Sequence, residues 1–448
     1  MGSSDTSPSQ LDVVGTLEWL ARTRLQDQPD VRARARWLLL DTLACAAAGF
    51  AAPEPAAYAA RLEALVPGPV RWPGSDVSLS PLAAVGVMPM AACWHEACEG
   101  LARAHGRPGL HAVPVAAALG VQRGASLGEV LDAIVWGYEV GGRAGEAMRI
   151  RAGLHVDGTW GVFAAVAAAA RLAGLPVPAC LEALAAAACQ LQASLYAPVR
   201  AGRTVRNTYV GNAASRALLL VEAVAAGIGA PVDVFDEAAR QLGDPTREAV
   251  PRTWCAPGEF LILQGYLKPF AGVRHAHYAA EAASRWHARH GGATTRIRSI
   301  ALETYQEALT YCGVRAPQVA LQAQFSLSYA TAHALWRGRL GPDAYRTEVL
   351  ADPELRRLEA LVELRVDTAR AGRGVTLRVV GASGEEVIVV DQVAGDPDLP
   401  FDAAQVRDKA LSYMAPAMGT EAAARLADYV LGAPATAAFT LQPAGSAS

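Results

Sequence analysis

Apolar residues at helical spacing constrain this chain more than any other feature of its sequence. From about Leu11 to Gly265 they recur at helical intervals, and short glycine and proline breaks separate the runs. No comparably long stretch in this half alternates with the period of two that is typical of strands. The first half is therefore predicted to be a multihelical, all-α domain. The predicted helices are Val31–Gly49, Pro114–Gly120, Leu127–Gly145, Trp160–Gly174, Cys180–Tyr196 and Gly211–Gly227.

After Lys268 the pattern changes to a mixture of helices and strands. The predicted helices are His277–His290 and Val319–Gly338. Valine-rich stretches bounded by glycines predict short strands of a sheet. These strands are Thr295–Thr304, Leu361–Asp367, Gly374–Val380 and Glu386–Asp391, with a hairpin turn at Ser383–Glu386. From Asp402 onward helical periodicity returns, and we expect these helices to dock on the first domain.

The length of the chain favours two domains. A chain of 448 residues exceeds what a single core usually supports. We predict a helical main domain of residues 11–268 and 402–448, with a smaller α+β lid domain of residues 269–401 inserted in it. Residues 1–10 are polar and small, and they are predicted to form a disordered tail.

Charge and cysteine usage argue against several classes of function. The chain has 40 Lys and Arg against 43 Asp and Glu, so its net charge of −3 gives no electrostatic basis for binding nucleic acid or a membrane surface. Without a signal peptide or a spanning apolar run, we expect a cytoplasmic protein. The seven cysteines are scattered and no CxxC pair is present, so neither a disulfide framework nor a metal cluster is expected.

Four stretches concentrate polar groups among apolar surroundings. The first, residues 94–111, holds three histidines and two arginines, and its glycines and Pro108 predict a loop. Any single histidine there could equally be an ordinary surface or core residue. In the second, residues 149–161, His155 just before a predicted helix is well placed as a general acid or base. Asp157 or Thr159 is a reasonable N-cap of that helix, whose first amides could hold a carboxylate.

The other two stretches contribute basic residues. Arg206, in residues 202–214, has a planar guanidinium group that suits a carboxylate, and a solvated loop arginine is the alternative. Lys268, in residues 266–277, precedes a proline and is expected on extended chain at the domain boundary. Two nearby histidines do not suffice for a metal site without carboxylate or cysteine partners. The four stretches together predict a cationic, histidine-containing site for a small anionic substrate, with proton abstraction beside a carboxylate.

An ordered series of motifs resembles one known family. The stretches that carry the resemblance are Asp41–Cys45, Val113–Leu119, Ile134–Val140, His155–Gly161, Lys268–His277 and Ala323–Tyr329. They are similar, in order and over nearly the whole chain, to the MmgE/PrpD family, which includes 2-methylcitrate dehydratase, cis-aconitate decarboxylase and iminodisuccinate epimerase. The resemblance implies a helical main domain with an inserted α+β lid, a homodimer, and no metal or other cofactor.

Some site residues follow from this resemblance position by position. His155 matches a catalytic histidine of the family and Lys268 a lysine of its site. Arg274 and His277 match the polar end of the family's lysine motif.

A further catalytic histidine precedes the family's Val-Pro-Ala-Ala helix. It corresponds here to His105 or His111, while a register based on Pro114 puts Arg107 at that position. The choice between the two histidines is open at this point.

Two departures from the family pattern predict a divergent substrate. Arg206 stands where the family usually has a lysine, and Tyr209 where it often has a histidine. Arginine can bind or polarise a carboxylate, but it does not readily give up a proton.

The second departure is the loss of the family's acidic cluster. Cys98 and Gly100 stand where aspartates are expected. His95 fits the start of that cluster, and Glu99 is the replacement that the sequence offers.

The leading hypothesis is a cofactor-independent lyase, a dehydratase or decarboxylase, that acts on a small carboxylate. His155 would be its general base or acid, with His105 or His111 opposite, and the basic residues would hold and polarise the carboxylate. The alternative is an isomerase, epimerase or cyclase in specialised metabolism. A third hypothesis is a non-catalytic binding protein.

Overall fold

Helices dominate the structure, a computed structural model that describes residues 13–243, 258–382 and 384–444. Up to Gly243 the described helices are α1 (Val13–Arg22), α2 (Pro29–Phe50), α3 (Pro53–Glu63), α4 (Pro81–Ala92), α5 (Pro108–Arg123), α6 (Leu127–Ala147), α7 (Gly161–Leu172), α8 (Val177–Ala188), α9 (Ala197–Arg200), α10 (Tyr209–Ala225) and α11 (Phe235–Leu242). A short strand, β1 (Pro67–Val70), lies between α3 and α4.

Helix α2 lies at the centre of this helical part. Every residue from Leu38 to Phe50 is buried, because α4, α5, α6 and the later helix Ala403–Met418 pack around it. A Cβ atom at Gly49 would lie 1.9 Å from the carbonyl oxygen of Ala91, so only glycine lets α2 and α4 approach this closely. No single helix in the described ranges is long and apolar enough to cross a membrane. Helices α2 and α3 reach the necessary length and apolar character only when taken together, and the chain bends by 94° between them.

Local signals set the helix ends near the polar stretches. Pro108 stands in the first turn of α5, where its missing N–H is not needed. The predicted loop over residues 94–111 therefore ends earlier than expected, and His111 lies in the first turn of a helix. Ser126 and Glu129 form a capping box that starts α6.

The second part of the chain contains a mixed sheet covered by helices. Its helices are α12 (His277–His290), α13 (Gln306–Cys312), α14 (Ala320–Gln324), α15 (Leu327–Arg337), α16 (Thr347–Leu350) and α17 (Pro353–Leu361). Its strands are β2 (Ser299–Thr304), β3 (Val362–Val366), β4 (Val375–Gly381) and β5 (Gly384–Val390). They pair in the order β3-β2-β4-β5, with β2 parallel to β3 and the other pairs antiparallel.

Alternation along β2 explains which face of the sheet is covered. Ile300 and Leu302 are buried and lie opposite Val379 and Leu377 of β4. Helix α12 packs against β4 and β5, and α15 packs against α12.

The last two helices return to the helical part. They are α18 (Ala403–Met418) and α19 (Thr420–Gly432). Asp402 and Gln405 form the capping box that starts α18, and both helices pack against α2. The division into residues 11–268 with 402–448 and an inserted lid of 269–401 stays a prediction.

The helix predicted at Cys180–Tyr196 is wrong in its second half. Helix α8 ends at Ala188, and the following segment runs beside residues 153–155 through a bridge between Leu154 and Leu195. This tertiary pairing overrides the helical propensity of the segment.

Two further predictions are wrong in detail. The run Val319–Gly338 is split into α14 and α15, because Ser326 leaves the helix and its side chain caps Tyr329 N–H. The hairpin turn predicted at Ser383–Glu386 comes earlier, since Gly384 already pairs with Gly381. Ser383 itself and the predicted tail at residues 1–10 lie outside the described residues.

Candidate active site

Five buried charged side chains meet between the helical part and the sheet-containing part. They are Glu96, Arg107, Asp157, Arg206 and Lys268, and we call them the charge cluster. None is more than 7% exposed, so solvent screens their ion pairs little. The charge cluster draws residues from all four polar stretches of the sequence.

Glu96 lies at the centre of the charge cluster. Its Oε1 accepts hydrogen bonds from Arg206 Nη2 and, at 3.2 Å, from Arg107 Nη1. Its Oε2 lies 3.5 Å from Lys268 Nζ, which also donates to the Glu96 backbone carbonyl at 2.6 Å. The φ angle of Glu96 is +53°, in the left-handed region that side-chain-bearing residues rarely adopt. Such a conformation is costly, and it persists only where the surrounding contacts hold the backbone in place.

Asp157 is the second carboxylate of the charge cluster. It pairs with Arg107, and its Oδ2 lies 3.7 Å from Arg206 Nη2. Arg107 is the residue before α5, and Arg206 lies in a short 3-10 helix, Thr204–Thr208, just before α10. Both arginines therefore enter the charge cluster from chain that leads into a helix, and their ion pairs hold the guanidinium groups there.

Arg206 is almost completely buried, at 2% exposure, so the alternative of a solvated loop arginine is wrong. Its Nη1 donates to Asn207 Oδ1 at 2.8 Å. Its Nε has no hydrogen-bond partner among the described residues.

The two carboxylates keep the charge cluster close to neutrality. Burial alone would raise the pKa of Glu96, but Arg107, Arg206 and Lys268 lower it to about 2. Burial would likewise raise the pKa of Asp157, but Arg107 and the neighbouring charges bring it well below its ordinary value. The contact of Lys268 with Glu96 favours the protonated form of the lysine. Three cations and two carboxylates then give the charge cluster a net charge of +1. The site is therefore less cationic than its basic residues alone suggest.

His155 lies at the edge of the charge cluster. Its Nδ1 accepts the backbone N–H of Asp157 at 3.0 Å, and Asp157 Oδ2 is 3.8 Å away. The ring of Tyr196 stacks on the imidazole at 5.6 Å. Burial lowers the pKa of His155 to about 4, so the ring is neutral at pH 7. A neutral ring that accepts at Nδ1 carries its proton on Nε2, and no described residue hydrogen-bonds that nitrogen.

Of the two histidines that the sequence left open, the structure brings His111 to the charge cluster. His111 Nδ1 lies 3.0 Å from the carbonyl oxygen of Arg107, and its Nε2 accepts the N–H of Gly158 at 3.5 Å. The outer nitrogen of His111 therefore faces the backbone just before α7. His105 is exposed, on a turn closed by the bridge between Leu101 and Gly106.

Two family models match the chain and together cover most of its length. Residues 16–242 match the MmgE/PrpD N-terminal domain, and residues 270–432 match the MmgE/PrpD C-terminal domain. The chain belongs to the MmgE/PrpD family. The resemblance seen in the sequence is thereby confirmed, and membership indicates an enzyme of the dehydratase or lyase type in general terms. No curated protein sequence gives a significant match.

In this MmgE/PrpD protein, Lys268 and His277 share one acceptor. Lys268 Nζ lies 3.3 Å and His277 Nε2 3.1 Å from the carbonyl oxygen of Gly272. Burial lowers the pKa of Lys268 and brings that of His277 well below its ordinary value. Lys268 lies outside the described helices and strands, and its side chain reaches the Glu96 loop.

The two histidines of the fourth stretch have different partners. His275 Nδ1 lies 2.6 Å from the hydroxyl of Tyr305, whereas His277 contacts Gly272. Across the described ranges, no three His, Cys, Asp or Glu side chains are grouped so that they could hold a metal ion.

Arg274 makes contacts outside the charge cluster. It forms an ion pair with Asp396, and its guanidinium lies over the rings of Tyr266 and Tyr278 at 5.3 and 4.9 Å. Its Nη1 has no hydrogen-bond partner among the described residues, and its role in binding substrate stays a prediction.

Tyr209 and His95 border the site in different ways. Tyr209 donates its hydroxyl to the carbonyl oxygen of Leu195 at 3.1 Å, and its ring makes a T-shaped contact with His155 at 6.0 Å between centroids. His95 Nε2 lies 3.4 Å from the carbonyl oxygen of Ala48, and burial lowers the pKa of His95 to about 4. His95 Nδ1 has no partner among the described residues.

Glu99 does not take the place of the family's aspartates. It accepts the N–H of Leu110 at 3.2 Å and the hydroxyl of Tyr138 at 3.4 Å. Burial raises the pKa of Glu99 to about 7, and no cation pairs with it in the described structure. Glu96 is the carboxylate that contacts the basic residues.

Both carboxylates of the charge cluster were missed as site residues from the sequence. The sequence predicts Asp157 or Thr159 as the N-cap of α7, but Trp160 holds that position without a side-chain bond. Asp157 pairs with Arg107 instead, and Thr159 bonds the carbonyl of Val156. A signal was present, because an arginine buried among apolar helices requires a carboxylate nearby.

Proposed function

We propose that this protein is a lyase that moves a proton at a carbon beside a carboxylate or carbonyl. One observation carries the proposal: His155, whose Nε2 bonds no residue in the described ranges, borders a buried group in which Arg206 and Lys268 are fixed. Fixed cations in a water-poor site stabilise the negative charge that develops on an enolate. Membership of the MmgE/PrpD family agrees with this chemistry.

His155 has two states that suit the two halves of such a reaction. With Nδ1 accepting the Asp157 N–H, its Nε2–H can hydrogen-bond a developing oxyanion. A change of tautomer that moves the ring proton from Nε2 to Nδ1, with Nδ1–H then donating to Asp157 Oδ2, now 3.8 Å away, would turn Nε2 into a base. The Asp157 carboxylate would then stabilise the protonated ring.

The low pKa of Glu96 bears on the kind of elimination. A carboxyl group with a pKa of about 2 is ionised at neutral pH and cannot protonate a leaving hydroxide. Glu96 is therefore not the proton donor for a leaving hydroxide, and loss of water would draw its proton from the His155 ring once that ring has been protonated. Loss of carbon dioxide needs no proton donor at the leaving group. An isomerase or epimerase, which releases no leaving group, stays the second candidate. The homodimer that the family resemblance implies stays a prediction.

Proton NMR in deuterated water tests the proposal on the purified full chain. Small carboxylic acids are incubated with the wild type and with His155→Gln, which keeps a polar side chain without an exchangeable imidazole proton. A new olefin or loss of a carboxylate, reduced about a hundredfold or more in the variant, is expected for a lyase. Deuterium entering an unchanged skeleton would indicate the isomerase. Turnover that is equal in the variant and the wild type would refute the role of His155.

A further inference from the structure

A large cleft lies beside the charge cluster, and no role described above uses it. Its volume is about 1120 Å³, and its walls come from both the helical part and the sheet-containing part. Small-molecule sites typically span roughly 300–1,000 Å³, so the cleft is large for a citrate-sized ligand. Residues that line it include Trp94, His95, Asn207, Phe270, Leu321 and Gln324.

The cleft and the charge cluster share a wall. His95 lines the cleft and directly precedes Glu96. Asn207 also lines the cleft, and its Oδ1 accepts the Arg206 Nη1–H at 2.8 Å. A carboxylate that arrives from the cleft can exchange with this neutral amide oxygen, because a charged acceptor bonds a guanidinium more strongly.

The cleft itself carries no excess of charge. Its charged lining residues are Arg203, Arg339, Arg346, Glu54, Asp343 and Glu348. Three positive and three negative side chains cancel. The adjacent charge cluster has a net charge of +1, so the combined surface can neutralise one negative charge on a ligand.

Two buried side chains in the wall of the cleft have polar atoms without partners. Gln324 is 2% exposed, and its Nε2 donates to the carbonyl of Trp94 at 2.9 Å, so its Oε1 is the atom left over. The hydroxyl of Tyr413, a residue 5% exposed, also lacks a partner in the described structure. Unpaired buried polar groups are costly, and a few polar atoms on the uncharged part of a ligand would satisfy them.

We infer that the substrate is a monocarboxylate whose uncharged, largely apolar body lies in the cleft while its carboxylate binds Arg206. The inference rests on the proposed function and names the substrate class of the same site. A tricarboxylate would bring three negative charges to a charge cluster that carries +1, and it would leave most of the cleft unfilled. Trp94, Phe270 and Leu321 offer apolar surface for the body of the ligand.

Calorimetric titration of the full chain with two probes tests this inference. The probes are 4-phenylbutyrate, a monocarboxylate with an apolar ring, and citrate. Val319→Trp narrows the cleft, since Val319 lines it and is 43% exposed. Val389→Trp is the matched control, at a 52% exposed position on β5 outside the cleft. Melting temperatures of both variants verify that they are folded.

We expect 4-phenylbutyrate to bind at least about tenfold more tightly than citrate. Val319→Trp should weaken binding of 4-phenylbutyrate by about tenfold, and Val389→Trp should leave it unchanged. Tighter binding of citrate, no binding of 4-phenylbutyrate, or an equal effect of the two tryptophans would overturn the inference. Because this readout is binding, it is separate from turnover: His155-dependent conversion of a small polycarboxylate would uphold the proposed function and overturn the substrate class.

Discussion

Lys409 Nζ lies 2.5 Å from Asp41 Oδ1, in an ion pair that is buried on both sides and joins α18 to α2. The same ammonium group donates to the backbone carbonyl of Ala97 at 2.8 Å. Ala97 follows Glu96, whose backbone adopts a left-handed conformation. The C-terminal helices therefore support the loop that carries the central carboxylate of the charge cluster.

Replacing Lys409 should destabilise the protein strongly. In Lys409→Met the Asp41 carboxylate stays buried without its partner, which typically costs about 3–5 kcal/mol of the free energy of unfolding. Urea denaturation measures this loss. Arg407→Met is the control on the same helix, because its ion pair with Asp428 is largely exposed and should contribute about 1 kcal/mol or less. Equal losses in the two variants would contradict the supporting role of Lys409.

Glu99 should make the protein less stable as the pH rises. Its folded-state pKa, raised by burial from an ordinary 4.5 to about 7, means that the folded state holds a proton which the unfolded state has released. The contribution of protonated Glu99 to the free energy of unfolding is fully present below pH 4.5 and is lost as the pH rises towards 7. The wild type should therefore lose about 3 kcal/mol relative to Glu99→Gln over this range. Urea denaturation at pH 4.5, 6 and 7.5 measures the difference, and a constant difference would argue against a protonated Glu99.

Glu96 should show the opposite dependence on pH. Its pKa is lowered to about 2 in the folded state, so its stabilising effect is present above its ordinary value of 4.5 and is lost as the pH falls towards 2. The advantage of the wild type over Glu96→Gln in unfolding free energy should shrink between pH 5.5 and pH 3.5. The same denaturation series detects this trend. An advantage that grows on acidification would show that Glu96 is not held by the three cations.

Gly161 should not tolerate a side chain. A Cβ atom at this first residue of α7 would lie 2.1 Å from His111 Nε2. Gly161→Ala should push the buried imidazole aside and cost about 1–3 kcal/mol of stability, although alanine favours helices elsewhere. The melting temperature measures the loss. Gly432→Ala, at the end of α19 with open space around it, is the control and should be neutral or slightly stabilising. Comparable tolerance at both glycines would contradict this packing.

Much of the secondary structure could be predicted from local sequence. Helix α12 begins and ends where the pattern predicts, at His277 and His290, and the strands β2 to β5 differ from prediction by a few residues. The errors occur where contacts with residues distant in sequence determine the local backbone conformation. The segment after Ala188 is not helical because it pairs with residues 153–155, and no local sequence pattern predicts that contact.

Apolar periodicity, caps and glycine breaks are local properties. Local sequence was therefore enough to predict the helical first half, the short strands of the second half and the stretches that supply His155, Arg206 and Lys268. Tertiary structure alone decided which charges meet. Glu96 and Arg206 are 110 residues apart in the chain yet share a hydrogen bond, while Glu99, three residues from Glu96, turns to Leu110 and Tyr138. Which carboxylate pairs with which cation depends on packing of whole helices. Only the folded chain can therefore give Glu96 a pKa of about 2 and Glu99 one of about 7.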